Sequence, residues 1–351
     1  MRERKVLIFL QNAVGGAERI SALIGNELHA NGYHVTYCLV GKQTGKSIKD
    51  FIAGSSGVRC IESTNPFLLL FEIFRTICHI KPDVVFASVI NINDKVLLLR
   101  RFFPKMRFII RCDTNVTAYS DKQRSLVSKT YPLADVVIAQ TEEMKEGLVQ
   151  ITKLDSEKVI VLHNPIDKEN IKRLVSEPSP FTSPKKHIVA VGRFDPAKGY
   201  ETLIDAFVEL TNRRKDVELY IVGNYKTDDK IYQYVINKAG KSGISDLVHC
   251  EGYQSNPYKY TVNADCYVLS SRWEGLPNAL IEALYLGTPA AAVKCVPIVE
   301  RIVLEGENGF LAENGDIVGL SYAMEKALDL NRVKSNYKPS EIADYIELFD
   351  E

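Results

Sequence analysis

At 351 residues the chain has room for two ordinary domains with ample apolar core, and 46% hydrophobic against 25% charged residues excludes collagenous, coiled-coil and wholly disordered classes. Lysine plus arginine and aspartate plus glutamate stand at 44 each, which excludes a whole-chain field for polyanions and leaves nucleic acid off the list of expected partners. No two of the seven cysteines have C-x-x-C spacing, which excludes a zinc ribbon or thioredoxin-type motif and reads as scattered reduced thiols of a cytoplasmic protein.

In chain order, the start has a charged head, but its apolar run stops at Gln11-Asn12, too short for a signal-peptide core. Residues 5–10 predict a buried strand, Gly15-Gly16 a turn, and Ile20, Leu23, Ile24 and Leu28 one face of a helix ending near Gly32. Further strands are expected at 34–40, 83–89, 108–111 and 136–139. No apolar run reaches the roughly 18 residues of a membrane span; residues 67–71, for one, are broken by Glu72. Between Val96 and Phe108 apolar residues interleave with Arg100, Arg101, Lys105 and Arg107, and residues 67–80 add a second apolar stretch with Arg75. Both read either as a surface that meets anionic lipid headgroups or as core helix whose cations snorkel to solvent. Residues 120–129 bring Lys122, Arg124 and Lys129, either toward a pyrophosphate-linked acceptor or onto a solvated helix face. Residues 1–165 hold 22 Lys/Arg against 16 Asp/Glu, and the remainder 22 against 28. The basic half is therefore the one to meet an anion or an acidic membrane surface, unless the asymmetry only docks the two halves or is chance.

Residues 161–167 read as the last strand leaving the first half, with a hinge near Asn164-Pro165, and residues 177–184 are proline-rich and poorly helical. Strands then resume at 187–192, 218–223, 247–250, 266–269 and 289–293, with a helix at 200–210. Alternation of strand and helix in both halves predicts an α/β fold of two doubly wound parallel sheets, with ligands at the carboxyl ends of the strands.

The stretch from Ser270 to Pro289 is the most informative. A strand ends at Leu269, a loop follows, Pro277 stands where a first helical residue belongs, and Gly287 and Pro289 give the stop. Glu274 then lies before the helix and Glu282 about 7.5 Å along its axis. A helix N-terminus seats a diphosphate, and a carboxylate on either side can accept from sugar hydroxyls, a layout that suits a nucleotide sugar. Two glutamates alone would more often be a loop residue and a solvated helix position. Residues 191–199 follow another strand and put Arg193 and Lys198 on one loop, suited to an anion. No Walker-type phosphate loop and no G-x-G-x-x-G fingerprint occurs.

Taken together, the chain resembles the large retaining glycosyltransferase family four of the GT-B fold, through Gly15-Gly16 with Glu18-Arg19, Asn164-Pro165-Ile166-Asp167, Gly192-Arg193 with Lys198-Gly199, Gly252-Tyr253, and the E-x7-E pair Glu274 and Glu282. The resemblance implies two Rossmann-like domains facing across a cleft. Residues 1–164 would hold the acceptor and residues 165–351 the donor, with the last helix packing back on the first domain. It implies a nucleotide-sugar donor, UDP favoured over GDP, a glycan or polyprenyl-pyrophosphate-linked acceptor in surface polysaccharide assembly, and no metal or other cofactor. By similarity, Arg193 and Lys198 neutralise the donor diphosphate, Glu282 accepts from ribose and Glu274 from the transferred sugar. Amides of Gly275, Leu276 and Asn278 meet phosphate or sugar, Gly15, Gly16 and Gly192 join the donor set, and Gly252, Tyr253 and Gln254 line the base pocket. Asp113 departs from the family pattern, standing where many relatives carry histidine, and residues 222–225 hold fewer glycines than usual. Asp113, Lys122 and Arg124 are the acceptor-side candidates. An epimerase or phosphorylase of the same architecture, or a silent sugar-nucleotide-binding subunit, are the other readings.

Overall fold

The computed structural model describes residues 4–43 and 47–350. The chain divides into two compact units, one running to Pro165 and resuming at Pro339, the other Ile166–Lys338. The first unit begins β1 (Lys5–Gln11), α1 (Gly16–Ala30), β2 (His34–Val40), β3 (Gly57–Ile61), α2 (Pro66–Ile80), β4 (Val84–Ala87) and α3 (Ile90–Leu98). It continues with β5 (Arg107–Arg111), α4 (Asp121–Thr130), β6 (Val136–Ala139), α5 (Glu142–Thr152) and β7 (Val159–Val161). All seven strands pair in parallel, in the order β3-β2-β1-β4-β5-β6-β7.

The two-residue period of a strand explains both cores. Leu7, Phe9, Val85, Phe108 and Ile110 point to one face, beneath α2 to α5, while Val6, Ile8, Phe86, Ile109 and Ile138 point to the other, beneath α1. Helix α1 lies tight on the sheet because Gly25 has no side chain: a Cβ there would sit 2.3 Å from the Tyr37 hydroxyl. Helix α2 starts at Asn65, whose side chain accepts from the Phe67 and Leu68 amides, and stops at Lys81 in the left-handed conformation (φ 50°). Helix α4 carries a full capping box between Ser120 and Gln123.

The second unit contains α6 (Lys168–Leu174), β8 (Lys186–Val191), α7 (Tyr200–Arg213), β9 (Val217–Val222), α8 (Lys230–Lys241), β10 (Val248–Gly252) and α9 (Tyr258–Asn263). After these come β11 (Cys266–Leu269), α10 (Asn278–Tyr285), β12 (Ala290–Val293), α11 (Ile298–Ile302), β13 (Gly309–Ala312) and α12 (Ile317–Ala327). Its six parallel strands run β10-β9-β8-β11-β12-β13. The last helix, α13 (Ile342–Asp350), belongs to the first unit, where Tyr345, Leu348 and Phe349 are buried against the α1 face of the sheet.

Three local expectations shift. The strand leaving the first sheet is Val159–Val161, ending where it was expected to begin. Pro277 is the cap of α10 rather than its first helical residue; its carbonyl accepts from the Leu280 and Ile281 amides. Residues 96–108 are not one helix: α3 ends at Leu98, a short 3-10 turn covers Arg100–Phe102, and β5 begins at Arg107.

Candidate active site

In the second unit the strand order reverses between β8 and β11, so the helices that follow them, α7 and α10, pack on opposite faces of the sheet and the two loops lie at the topological switch point, the notch where ligands of open α/β sheets bind. Those loops carry Gly192 to Gly199 and Ser270 to Pro277. Backbone contacts bind them together. The Arg272 amide donates to the Ala197 carbonyl (2.7 Å) and the Ser270 hydroxyl to the Lys198 carbonyl (2.8 Å). Gly199 permits this approach, with φ +62° and the Ser270 carbonyl oxygen 2.2 Å from where a Cβ would be.

On that frame Lys198 Nζ lies 2.7 Å from Glu274 Oε1, and the Ser271 hydroxyl donates to the same oxygen at 2.8 Å. The lysine and glutamate side chains are 28% and 15% exposed, so the pair is partly dehydrated. Arg193 is exposed and has no carboxylate within ion-pair distance among the described residues. The two cations of this loop are thus in different situations. Gly192 lets the Lys198 stem and the Tyr200 hydroxyl close in, each 3.0 Å from a would-be Cβ, and its carbonyl accepts from that hydroxyl (2.8 Å).

Glu282 is the fifth residue of α10, and its Oε1 accepts from the buried Tyr258 hydroxyl at 3.2 Å. The buried Tyr267 phenol of β11 senses both carboxylates. Burial chiefly, then Tyr200, Glu274 and Glu282, raise it far above its ordinary range. Burial, with Glu274 next, pushes the Cys295 thiol up to about 12. Of the amides expected to meet a ligand, that of Asn278 is engaged by the Leu276 carbonyl (2.9 Å); Leu276 is buried and Gly275 half-buried.

Gly252 ends β10, two strands from β8, and Tyr253 and Gln254 follow it. Gly252 adopts φ +66°, and its carbonyl accepts from the Gly223 amide (2.9 Å). Tyr225, beside it, stacks on Tyr232 with centroids 4.2 Å apart, and Phe194 meets both edge-on. An aromatic run therefore links the Arg193 loop to the Gly252 loop. The Gln254 side chain turns back to the Glu251 carbonyl (3.0 Å).

In the first unit the order reverses between β1 and β4, and Gly15 and Gly16 start α1 beside that point. A Cβ at Gly15 would lie 2.4 Å from the buried Glu18 carboxylate. Asp113 follows β5. Its surface is only half-buried, yet the carboxyl is close-packed enough that desolvation pushes it up to about 6 against the pull of Arg111. Arg111 is itself buried and donates to Asn164, whose side-chain amide donates to Gln140 (3.1 Å). On α4, Lys122 is exposed and Arg124 donates to the Tyr119 carbonyl (3.0 Å). The hydroxyls of Tyr200, Tyr258 and Ser271 were not anticipated; no motif in the sequence marks them. Among the described residues no group of His, Cys, Asp and Glu has metal-holding geometry, and no helix is long and apolar enough to cross a membrane.

Comparison with known proteins supplies the remaining findings. The model of Glycosyltransferase Family 4 matches residues 14–170, and that of Glycosyl transferases group 1 matches residues 171–344. An uncharacterized glycosyltransferase of Methanocaldococcus jannaschii is 29% identical over 66% of this chain, which spans 61% of that protein. The N-acetylgalactosamine-N,N'-diacetylbacillosaminyl-diphospho-undecaprenol 4-alpha-N-acetylgalactosaminyltransferase of Campylobacter jejuni is 26% identical over 78% of this chain and 74% of its own length. Among solved structures, Anabaena HepE in complex with UDP superposes with a TM-score of 0.75 at 17% identity, covering 93% of this chain and 90% of that one.

Proposed function

The chain belongs to glycosyltransferase family four and has the GT-B fold, and from that premise we propose that it moves a hexose-type sugar from a UDP-sugar to a glycan or polyprenyl-pyrophosphate-linked acceptor in surface polysaccharide assembly. It works in the cytoplasm, peripheral on the inner face of the membrane. The observation that carries the reading is the Lys198–Glu274 pair at 2.7 Å in the β8/β11 notch: a cation for a diphosphate and a carboxylate for sugar hydroxyls share one spot. Arg193 supplies a second cation. Glu282, oriented by Tyr258, accepts from ribose, and the loop at Gly252, Tyr253 and Gln254 receives the base.

Transfer with retention then needs little from the protein beyond charge. The bond from the anomeric carbon to the UDP oxygen breaks, the acceptor oxygen bonds to that carbon from the same face, and the acceptor proton passes to the departing phosphate oxygen. Lys198 and Arg193 stabilise the charge that gathers on UDP, and Glu274 holds the sugar through its hydroxyls. On the acceptor side we assign Asp113, Lys122 and Arg124; Gly15 and Gly16, at the start of α1, stay with the donor set, where they admit its phosphates. The diphospho-undecaprenol in the name of the Campylobacter relative and the UDP bound by HepE support this choice of acceptor and donor. The test is turnover of labelled UDP- and GDP-sugars by purified chain, with product analysis. Transfer from a UDP-sugar is expected; preference for GDP-sugars, epimerisation, or phosphorolysis by inorganic phosphate would replace the reading, and binding without turnover would make the chain a silent subunit.

A further inference from the structure

We propose that the outward face of α2, with the adjoining turn Arg100–Phe102, is the surface by which the first unit docks on an anionic lipid bilayer. This deepens the lipid-linked-acceptor reading and rests on it for its purpose. Helix α2 is apolar on both sides. Leu69, Ile73 and Ile77 fill the core, yet Phe67, Leu68 and Phe71 stand 86%, 51% and 58% exposed. Phe67, Phe71 and Phe74 recur at the spacing of one helix face, and Phe74 carries the stripe on to Phe102, 62% exposed and edge-on at 5.9 Å. Large apolar side chains grouped in this way mark a contact surface rather than ordinary solvent-facing positions.

Charge selects the partner. Between residues 62 and 107 the exposed charges are four cations, Arg75, Lys81, Arg101 and Lys105, and one acid, Glu62. The only acid within α2, Glu72, is half-buried, with one carboxylate oxygen sealed from solvent. None of the four cations is within ion-pair distance of a carboxylate among the described residues. A convex apolar stripe flanked by uncommitted cations matches an interface of acyl chains beneath anionic headgroups. Because α2 runs back from β3 to β4, its exposed start, with Phe67, lies at the carboxyl end of the strands, the same pole as Gly15 and Asp113. A lipid-borne acceptor held there would approach from that bilayer.

Co-sedimentation of the full chain with vesicles of phosphatidylcholine, alone or with about one third phosphatidylglycerol, tests the surface. The wild type is expected to favour anionic vesicles and to release as salt rises. Phe67→Ser with Phe71→Ser, and separately Arg75→Gln with Arg101→Gln and Lys105→Gln, should each weaken partitioning about tenfold or more with an unchanged melting temperature. Equal partitioning to neutral and anionic vesicles, or wild-type partitioning by the cation variant, would overturn the proposal. So would concentration-dependent self-association that the phenylalanine variant abolishes, which would give the face to a second copy. Sugar transfer is read separately: a chain that sediments but transfers nothing keeps this surface and loses the transferase reading instead.

Discussion

Lys198 and Glu274 stand 76 positions apart in the chain and 2.7 Å apart in space, so neither can be altered without changing the other's surroundings. In the proposed donor site Lys198→Ala would remove a charge-assisted contact to the diphosphate and leave Glu274 facing it; UDP affinity should fall by about 1.5–3 kcal/mol. Adding Glu274→Gln to that variant should restore part of the loss, and titration calorimetry across the double-mutant cycle reads the coupling. Glu274→Gln alone should cut turnover about tenfold or more, some 1.4 kcal/mol on the barrier, while UDP binds as well as before or better because Lys198 is freed. Glu282→Ala, by contrast, should weaken UDP itself. A Glu274→Gln variant that loses UDP as fully as Glu282→Ala would mean that the two carboxylates are not divided between sugar and ribose. Elsewhere, Asp94 is buried, and desolvation pushes its carboxyl up to about 6. The folded state therefore holds that proton more tightly than the unfolded chain, and stability from this group is greatest below pH 4 and falls as pH rises toward 6. Asp94→Asn can still accept from Thr130, as Asp94 does at 3.0 Å, so its melting advantage over wild type should grow from pH 4 to 7, to on the order of 2–3 kcal/mol. Parallel melts at both ends of that range check the sign.

At the scale of elements, the site depends on how closely two loops approach. Gly199→Ala forces a side chain into the left-handed region and against the Ser270 carbonyl. We expect a loss of at least about 2 kcal/mol in urea unfolding, and a larger loss of transfer than Lys198→Ala because the whole Lys198 turn must shift. Buried strands were legible because short, mainly apolar runs bounded by glycine or polar residues leave few other readings: residues 34–40, 136–139 and 266–269 are strands with those bounds. Two strands were not legible, for physical reasons. β3 is an edge whose Val58, Arg59 and Cys60 face solvent, so burial imposes no apolar run on it. β13 is an edge of the other sheet, opens on a glycine and buries Phe310 and Leu311 only in part, so its apolar run is just three residues long. Within the site, Arg193, Lys198, Glu274 and Glu282 could be named from local spacing and the other motif residues only through the family resemblance, whereas the pairing of Lys198 with Glu274 and of Tyr258 with Glu282 arises only when the sheet order brings distant loops together. The stripe on α2 was ambiguous for the same reason, since an apolar helix reads alike whether one face or both are covered.

Across the whole molecule, the second unit interrupts the first: the chain leaves at Pro165 and rejoins at Pro339. Removing residues 339–351 would strip Tyr345, Leu348 and Phe349, all buried, from the α1 face of the seven-stranded sheet. At about 1.5–3 kcal/mol per buried side chain, the first unit should lose upwards of about 5 kcal/mol. Calorimetry of the truncated chain should show its transition lowered or missing while UDP still binds the second unit; loss of both together would mean that the units do not fold separately. The same arrangement bears on synthesis. Domains usually fold in the order in which they leave the ribosome, but here residues 166–338 are contiguous and can close their sheet while the earlier-made unit still waits for its last helix. Until α13 is translated, the apolar face formed by Val6, Ile8, Phe86 and Ile109 remains short of its Tyr345, Leu348 and Phe349 cover. The nascent chain therefore carries an incomplete hydrophobic surface through the whole translation time of the second unit, and that interval, more than the stability of either finished sheet, is when it most needs a chaperone.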